Sequence, residues 1–600
     1  MFTSSDGRTA FVYAFAPRGD DPFGGSVDAQ RDLKEGLRDT TVAGAPVRVT
    51  GYDALVDSTG EADQGTGVLL EAVLGGVGAL VVLVFVFGSW LALVPLAMAI
   101  SSVLVSFLLL WGLTTITEVS PIVQFLVALI GLGVSIDYAL LIVVRWREER
   151  EKGLEGDEAV AAAMATAGRA VVFSGTTVAV GLLALIALPL PFLRSMGYGG
   201  MLIPLVATLV AITLLPVILA SIGPRLDRKR IGRRDRSNAF WQRWSEAVVR
   251  RRGLAALLAV AILGVLLIPA ANLHLGSPDP DTIAKAGNAK EALGSLDESG
   301  IGKGAIAPTE TLAPAADAPP VVAAQAGVEG MHGAVAPSAP DWRRGNDALV
   351  LAIPNEGDES GAGRDAVQAV RDAAHGASPD ARVGGVGPLN ADFIDAVYGS
   401  FPLMIALISV LTFLLLARAF RSLLLPAKAV VLNVLSVGAA WGVMTLVWQY
   451  GHGSNEIWGI AATGSITSWI PLMVFAFLYG LSMDYEVFIL ARMREEYDQT
   501  RDTNQAVVFG LGRTGRLVTS AALILFLAFA AMASGPETDV KILATGLAAG
   551  ILLDATVIRA LLVPAVVSMF GRWNWYLPPG AARLLRVAPS PEPAAQAGRA

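Results

Sequence analysis

Eleven long apolar runs constrain this chain more than any other feature. They lie at about 68–88, 90–113, 119–144, 170–191, 196–222, 253–271, 399–417, 423–448, 467–491, 516–534 and 540–569. A helix needs about 20 such residues to cross a bilayer. Hydrocarbon offers no hydrogen bonds, so a spanning segment satisfies its own backbone, which runs of this length do as helices. Composition agrees: 54% of the 600 residues are hydrophobic and 16% are charged, against about 25% charged in a soluble protein. With no cysteine, disulfides and thiolate chemistry are excluded. His274, His332, His375 and His452 are scattered and offer no metal-ligand spacing.

Charge orients the runs. Gly223 to Arg252 holds eleven Lys/Arg against three acids, and "RWREEREK" and "ARMREEYDQTR", after the third and ninth runs, are led by basic residues. Residues 1–67 carry six Lys/Arg and eleven Asp/Glu, and residues 272–396 carry eight and eighteen. Basic loops stay cytoplasmic. Both acidic regions are therefore expected outside, with all eleven spans alternating consistently.

The chain repeats itself. A shift of 347 residues carries Asp137 to Asp484, Gly133 to Gly480, Ser135 to Ser482, Arg147-Glu148-Glu149 to Arg494-Glu495-Glu496, and Gly168-Arg169 to Gly515-Arg516. The polar regions repeat too, as strand, helix, strand: "TAFVYAFAP", "SVDAQRDLKEGLRD" and "PVRVTGY" in one, "NDALVLAIP", "GRDAVQAVRDAAHG" and "DARVGGVG" in the other. The spacing predicts strands at 9–16 and 46–51 around a helix at 26–39. The second copy is expected to have strands near 302–312, 347–353 and 380–386 and a helix near 363–375.

These patterns divide the chain into a partial outer domain (1–67), a first membrane block (68–222), a basic cytoplasmic loop (223–252), a single span (253–271), a second outer domain (272–396), a second membrane block (397–569) and a cytoplasmic tail (570–600) expected to be disordered. The second copy has a leading span and about 70 further residues before its matched strand. By that comparison the first copy is expected to lack an N-terminal span and about half of its outer domain, with translation starting upstream of Met1.

Three stretches carry a family resemblance: "GLGVSIDYALLIVVRWREE", "GLSMDYEVFILARMREE" and "LLDATVIRALLVP". With the tandem layout, they resemble the MmpL family of actinobacterial transporters, within the resistance–nodulation–division (RND) superfamily. The resemblance covers essentially the whole chain. It implies a multi-pass α-helical membrane protein of two tandem repeats, with twelve spans in the family and eleven here, and two extracytoplasmic α+β porter domains of split βαβ type. It also implies export of lipids or other amphiphiles across the bacterial cytoplasmic membrane, driven by protons with no other cofactor. By the same resemblance the Asp and Tyr of the two central helices pair across each other, which assigns Asp137, Tyr138, Asp484 and Tyr485 to a proton relay.

Physical chemistry weighs the same way. An ionised Asp at membrane depth costs about 2.5–3.5 kcal/mol on insertion scales, so it is expected to have a partner or a task. Asp137 stands eight residues before Arg145 and Asp484 eight before Arg492, about 12 Å above the basic edge at 1.5 Å per residue. Two acids at matching depth in repeat-related helices point to one shared site. Tyr138 and Tyr485 offer hydroxyl donors to a carboxylate.

The remaining intramembrane polar groups rank as support. Asp554 and Arg559, five residues apart, point about 140° away from each other on an ideal helix, so a direct pair is not expected. Asn433, Ser174 and Thr177 are candidates for bonds across helices. Gly133, Gly480 and Gly131 are expected to let helices approach closely. Two other function classes stand beside export. One is a non-transporting RND relative, a translocation accessory or lipid sensor. The other is an intramembrane aspartyl protease, but Val134, Ser135 and Ile136 separate Gly133 from Asp137, where such enzymes place Asp directly after Gly-x-Gly. No enzyme activity, metal or nucleic-acid partner is expected, and monomer and trimer both stay open.

Overall fold

The computed structural model describes residues 2–15, 27–58, 64–120, 122–227, 235–284, 286–535 and 537–587. After α1 (Val27–Leu37) come the hairpin strands β1 (Thr41–Val42) and β2 (Ala45–Pro46). The first membrane block comprises α2 (Gln64–Phe87), α3 (Leu93–Thr114), α4 (Gly131–Glu151), α5 (Arg169–Leu183) and α6 (Pro191–Ser221). The amphipathic α7 (Asp235–Arg250) leads into α8 (Arg252–Ala271). Then come β3 (Thr309–Pro314), α9 (Ala318–Ala326), β4 (Met331–Val335), β5 (Asp347–Pro354), α10 (Gly361–Ala377) and β6 (Arg382–Gly384). The second block comprises α11 (Phe401–Phe420), α12 (Leu424–Met444), α13 (Ile470–Thr500), α14 (Thr503–Met532) and α15 (Thr538–Leu553), which runs through a π-helical stretch, Asp554–Leu562, into α16 (Val563–Phe570). Ten described helical segments are long and apolar enough to cross a membrane, and α2 adds the apolar stretch Val73–Phe87. This is a multi-pass helical membrane protein.

Several helices outrun their apolar runs. α4 continues to Glu151 because Arg145 bridges Glu148 (3.0 Å) and Glu149 (2.8 Å), the three- and four-residue spacings that support a helix in water. α13 extends to Thr500 the same way, with Arg492–Glu495 at 2.9 Å and Arg494–Asp498 at 3.1 Å.

The repeat is a packing relationship as well as a sequence one. A Cβ on Gly133 of α4 would lie 2.4 Å from Leu525 of α14, and one on Gly480 of α13 would lie 3.2 Å from Val178 of α5. The 347-residue shift that carries Gly133 to Gly480 also carries Val178 to Leu525. Each central helix thus presses its glycine onto the other repeat at an equivalent position, as a pseudo-twofold axis requires.

The region after α8 holds a five-stranded antiparallel sheet: four strands run in the order β4-β5-β3-β6, the two-residue strand Arg343–Arg344 also pairs with β5, and Thr311 stands opposite both Val350 and Val383. β3-α9-β4 is a parallel pair with β5 between its strands, and β5-α10-β6 encloses β3 in the same way. Two interleaved split βαβ units result. The apolar run of β5 buries Ala348, Val350, Leu351, Ala352 and Ile353, and α10 covers the sheet with Val370 and Ala374.

The structure corrects three expectations. The strand expected at 46–51 shrinks to Pro46, the end of the two-residue β2, and no strand occupies 9–15, where Ala10 forms only an isolated bridge with Thr3; residue 16 lies outside the described residues. The alternation of Phe11 and Tyr13 instead serves a packing edge, where both pack with Phe2 against Leu296, Ala305 and Ile353. The strand expected over 302–312 starts only at Thr309, because Lys303–Ile306 is a 3-10 turn pressed on the backbone after β5. There Gly302 takes φ +96°, and a Cβ would lie 2.1 Å from the Asn355 carbonyl. The tail is ordered as far as 587, with helical turns at Gly571–Trp575 and Pro579–Leu585. Trp575 stacks on Tyr497 at 4.6 Å, an aromatic anchor that the Pro/Ala-rich end obscured. Residues 588–600 lie outside the described residues.

Candidate functional site

α4 and α13, which carry the two Asp-Tyr motifs, are the most enclosed of the apolar helices. The other spans wrap them, which explains why neither helix is amphipathic. Asp137 and Tyr138 are buried on α4, as are Ser482, Tyr485 and Glu486 on α13. Asp484 stands on α13 beside Tyr485, and its side chain lies outside the described residues.

Arg559 organises what is described. Its Nη2 donates to the Ser482 carbonyl (2.6 Å) and to Ser482 Oγ (3.3 Å), and it forms an ion pair with Asp554. Its guanidinium also covers the Tyr485 ring, 4.5 Å from the centroid. Ser482 Oγ in turn donates to Asn433 Oδ1 on α12 at 2.8 Å. Across the repeat interface, the Asp137 carboxyl lies within reach of the Tyr485 hydroxyl and the Arg559 charge. Asp137 Oδ1 has no hydrogen-bond partner among the described residues. A carboxyl, a phenol, a second carboxyl and one guanidinium therefore meet in a buried interior, where electrostatic interactions are strong and incomplete pairing is costly.

Direct pairing of Asp554 with Arg559 overturns the expectation drawn from ideal helix geometry. The stretch Asp554–Leu562 is π-helical. Hydrogen bonds there run i→i+5, which brings residues five apart onto one face. Asn433 makes its expected bond across helices. Thr177 does not: its Oγ1 bonds back to the Phe173 carbonyl of its own helix at 2.9 Å. Ser174 is buried one turn before Val178, on the face of α5 that meets Gly480. Gly131 and Gly133 both sit at close helix contacts, Gly131 against Val103 and Gly133 against Leu525.

One buried acid was missed in the sequence. Glu486 is 4% exposed and lies within electrostatic reach of Asp554 and Arg559. The repeat comparison hid it, because its counterpart is Ala139; the only signal was its place directly after the second Asp-Tyr.

The sequence profile of the MMPL family matches residues 1–254 and 338–588. The chain belongs to the MMPL family. Among its relatives, the mycolic acid-containing lipids exporter MmpL11 of Mycolicibacterium smegmatis is 36% identical, over 83% of this chain and 54% of its own length. The heme uptake protein MmpL11 of Mycobacterium tuberculosis is also 36% identical, over 84% and 54%. Membrane protein YdfJ of Bacillus subtilis is 33% identical, over 85% of this chain and 71% of its own length. The chain spans about half the length of the MmpL11 proteins that it matches. The MmpL11 relatives carry the names of transport proteins, not of enzymes.

Proposed function

We propose that this MMPL-family chain is a proton-driven exporter of lipids or other amphiphiles across the cytoplasmic membrane. One observation carries the reading: Asp137 of the first repeat faces Tyr485 and Arg559 of the second, so that protonation at one buried point acts on the contact between the halves. A carboxylate that takes a proton loses its attraction for Arg559 and for the phenol donor, which shifts the balance between two packings of the repeats. Membrane-embedded acids at a repeat interface are the usual coupling sites of such transporters. The charge pattern supports a cytoplasmic placement of 223–252 and the C-terminal tail, with the sheet domain outside. The lipid-exporting MmpL11 relative supports an amphiphilic substrate, and the extent of apolar helix surface suits a route shared with the bilayer.

The test is export of a fluorescent long-chain lipid from vesicles holding the full chain under an imposed pH gradient. Replacing both Asp137 and Asp484 by Asn keeps size and hydrogen bonding but removes two titratable protons. Export should disappear at matched protein levels. Undiminished gradient-driven export by the double variant would sink the proposal. The MmpL11 relative named for heme uptake favours one competing reading, so gradient-driven uptake of heme by the same vesicles is the second arm of the assay.

A further inference from the structure

Arg147 and Arg494, carried onto one another by the 347-residue shift, make the same contact in both repeats. On α4, Arg147 Nη1 donates to the Phe87 carbonyl, the last of α2, at 3.1 Å. On α13, Arg494 Nη1 donates to the Phe420 carbonyl, the last of α11, at 3.3 Å. The final carbonyls of a helix have no partner within it, and a cation suits the negative end of its dipole. An acid steadies each guanidinium. Asp227, shared with Arg150, stands 2.9 Å from Arg147, and Asp498, which also lies 3.9 Å from Arg421, stands 3.1 Å from Arg494. Arg516 of α14 adds a second grip on α2 by donating to the Val86 carbonyl at 2.9 Å. The Trp575 carbonyl of the tail also accepts from Arg494, at 3.3 Å.

α2 and α11 are the helices by which the chain enters its two membrane blocks from the two outer regions. In the second repeat, Val386–Phe420 is one helical segment of 35 residues, broken only at Gly399-Ser400. It starts beside Gly385, where a Cβ would lie 2.5 Å from the Pro308 carbonyl oxygen at the head of β3. An ion pair of 2.8 Å ties its Asp392 to Arg371 of α10. Lower down, both entering helices turn a stripe outward: Val77, Val81 and Phe85 on α2, and Leu403, Leu407 and Val410 on α11. A helix packed on one face can slide or tilt as a unit. Arg147 follows Asp137, and Arg494 follows Asp484, by ten residues of unbroken helix, about 15 Å. Resting on the proton-coupled reading above, we propose that Arg147 and Arg494 are positioning residues that pass movement of the central helices to the outer regions, by gripping the ends of α2 and α11. A charge change at the carboxyl centre shifts α4 against α13. The arginines carry that shift to the two gripped ends, and the entering helices carry it up to the outer regions. An ordinary cap comes from the next few residues of the chain; these come from the central helices, 60 and 74 residues away.

The test uses the full chain with Asp39→Cys and Asp380→Cys, exposed positions in the two outer regions of a sequence without other cysteines. Each takes a nitroxide label. In liposomes of phosphatidylethanolamine and phosphatidylglycerol, the distance between labels is read at pH 6 and pH 8, beside gradient-driven export of the fluorescent lipid. With native arginines the distance should shift with pH, and Asp137→Asn should abolish the shift. Arg147→Gln and Arg494→Gln should each lose more than half of the shift and more than half of export. Arg494→Lys, which keeps a charged donor, should recover part of both. If the native-arginine chain shows neither gradient-driven export nor a shift that Asp137→Asn removes, the proton-coupled function itself fails. If it shows export without such a shift, only the transmission is overturned. A glutamine variant that stays within twofold in either reading also overturns the transmission, since lost export at full shift marks local damage. Should one glutamine variant not purify as a single species, the other decides by the same thresholds.

Discussion

Asp554 and Arg559 form a buried ion pair within a single membrane helix, although an ideal α-helix would turn them to different sides. The π-helical stretch that begins at Asp554 brings them together, and it also delivers Arg559 to Ser482 and Tyr485. A local change of winding therefore sets the electrostatics of the whole centre.

Breaking this pair from one side should be severe. Arg559→Ala leaves Asp554 buried without its cation, a loss of about 3–5 kcal/mol. The double variant Asp554→Asn/Arg559→Gln should be more stable than Arg559→Ala, because no lone charge is left behind. Thermal melting of the purified proteins, followed by tryptophan fluorescence, ranks the three. An Arg559→Ala protein that melts with wild type would contradict the burial argument.

Tyr485→Phe and Asp137→Asn should separate in degree. The Phe variant deletes one hydroxyl near Asp137, at a cost of about 1–3 kcal/mol if the partner stays buried. It should retain partial gradient-driven export, whereas Asp137→Asn should retain none. Equal activities in the vesicle assay would show that the hydroxyl and the carboxyl do not act in the graded way proposed.

Glycine packing predicts an order of damage. A Cβ on Gly442 of α12 would lie 1.8 Å from the Leu266 carbonyl oxygen of α8, which is rigid backbone. On Gly133 it would meet Leu525 Cδ2, the movable tip of a side chain. Overpacking costs about 1–3 kcal/mol, occasionally more. Gly442→Ala should fall at the upper end of that range and Gly133→Ala at the lower, as read from melting temperatures in detergent. The reverse order would refute the contact geometry.

The sheet domain should lose stability as pH rises through neutrality. Burial, together with the charges of Asp279 and Asp358, raises the Glu359 carboxyl from 4.5 to about 7. The folded domain then binds this proton more tightly than the unfolded chain. Its stabilising contribution is complete below about pH 4.5 and disappears as pH climbs toward 7. Glu359 is partly exposed, so solvent screening moderates the effect. Glu359→Gln should flatten the slope between pH 5 and 7 in hydrogen-exchange protection of residues 347–377. A wild-type slope that survives the substitution would assign it to other groups.

Length and apolarity were enough to place the membrane helices, because a bilayer imposes one helical solution on any run of about 20 such residues. The 347-residue shift was equally legible, and so were the two central helices, since a titratable group inside an apolar run stands out against its neighbours. The split βαβ sheet showed through in β5 and α10, where alternation and amphipathic spacing coincide with burial. Local signals misled where tertiary contacts replaced them. The alternating Phe11 and Tyr13 pack on a neighbouring domain without joining a sheet, and Trp575 anchors a tail whose later composition looks featureless.

The sequence by itself determined which residues are apolar, how often the pattern recurs, and which carboxyls lie at membrane depth. Only the tertiary structure decided which of those groups meet. Asp137 reaches Tyr485 and Arg559 through the crossing of two repeats, and Asp554 reaches Arg559 through a π-helical turn. Glu486 gains its neighbours from α12 and the last span. Crossing angles and local winding depend on side chains packed from distant parts of the chain, so no periodicity within a single helix encodes them.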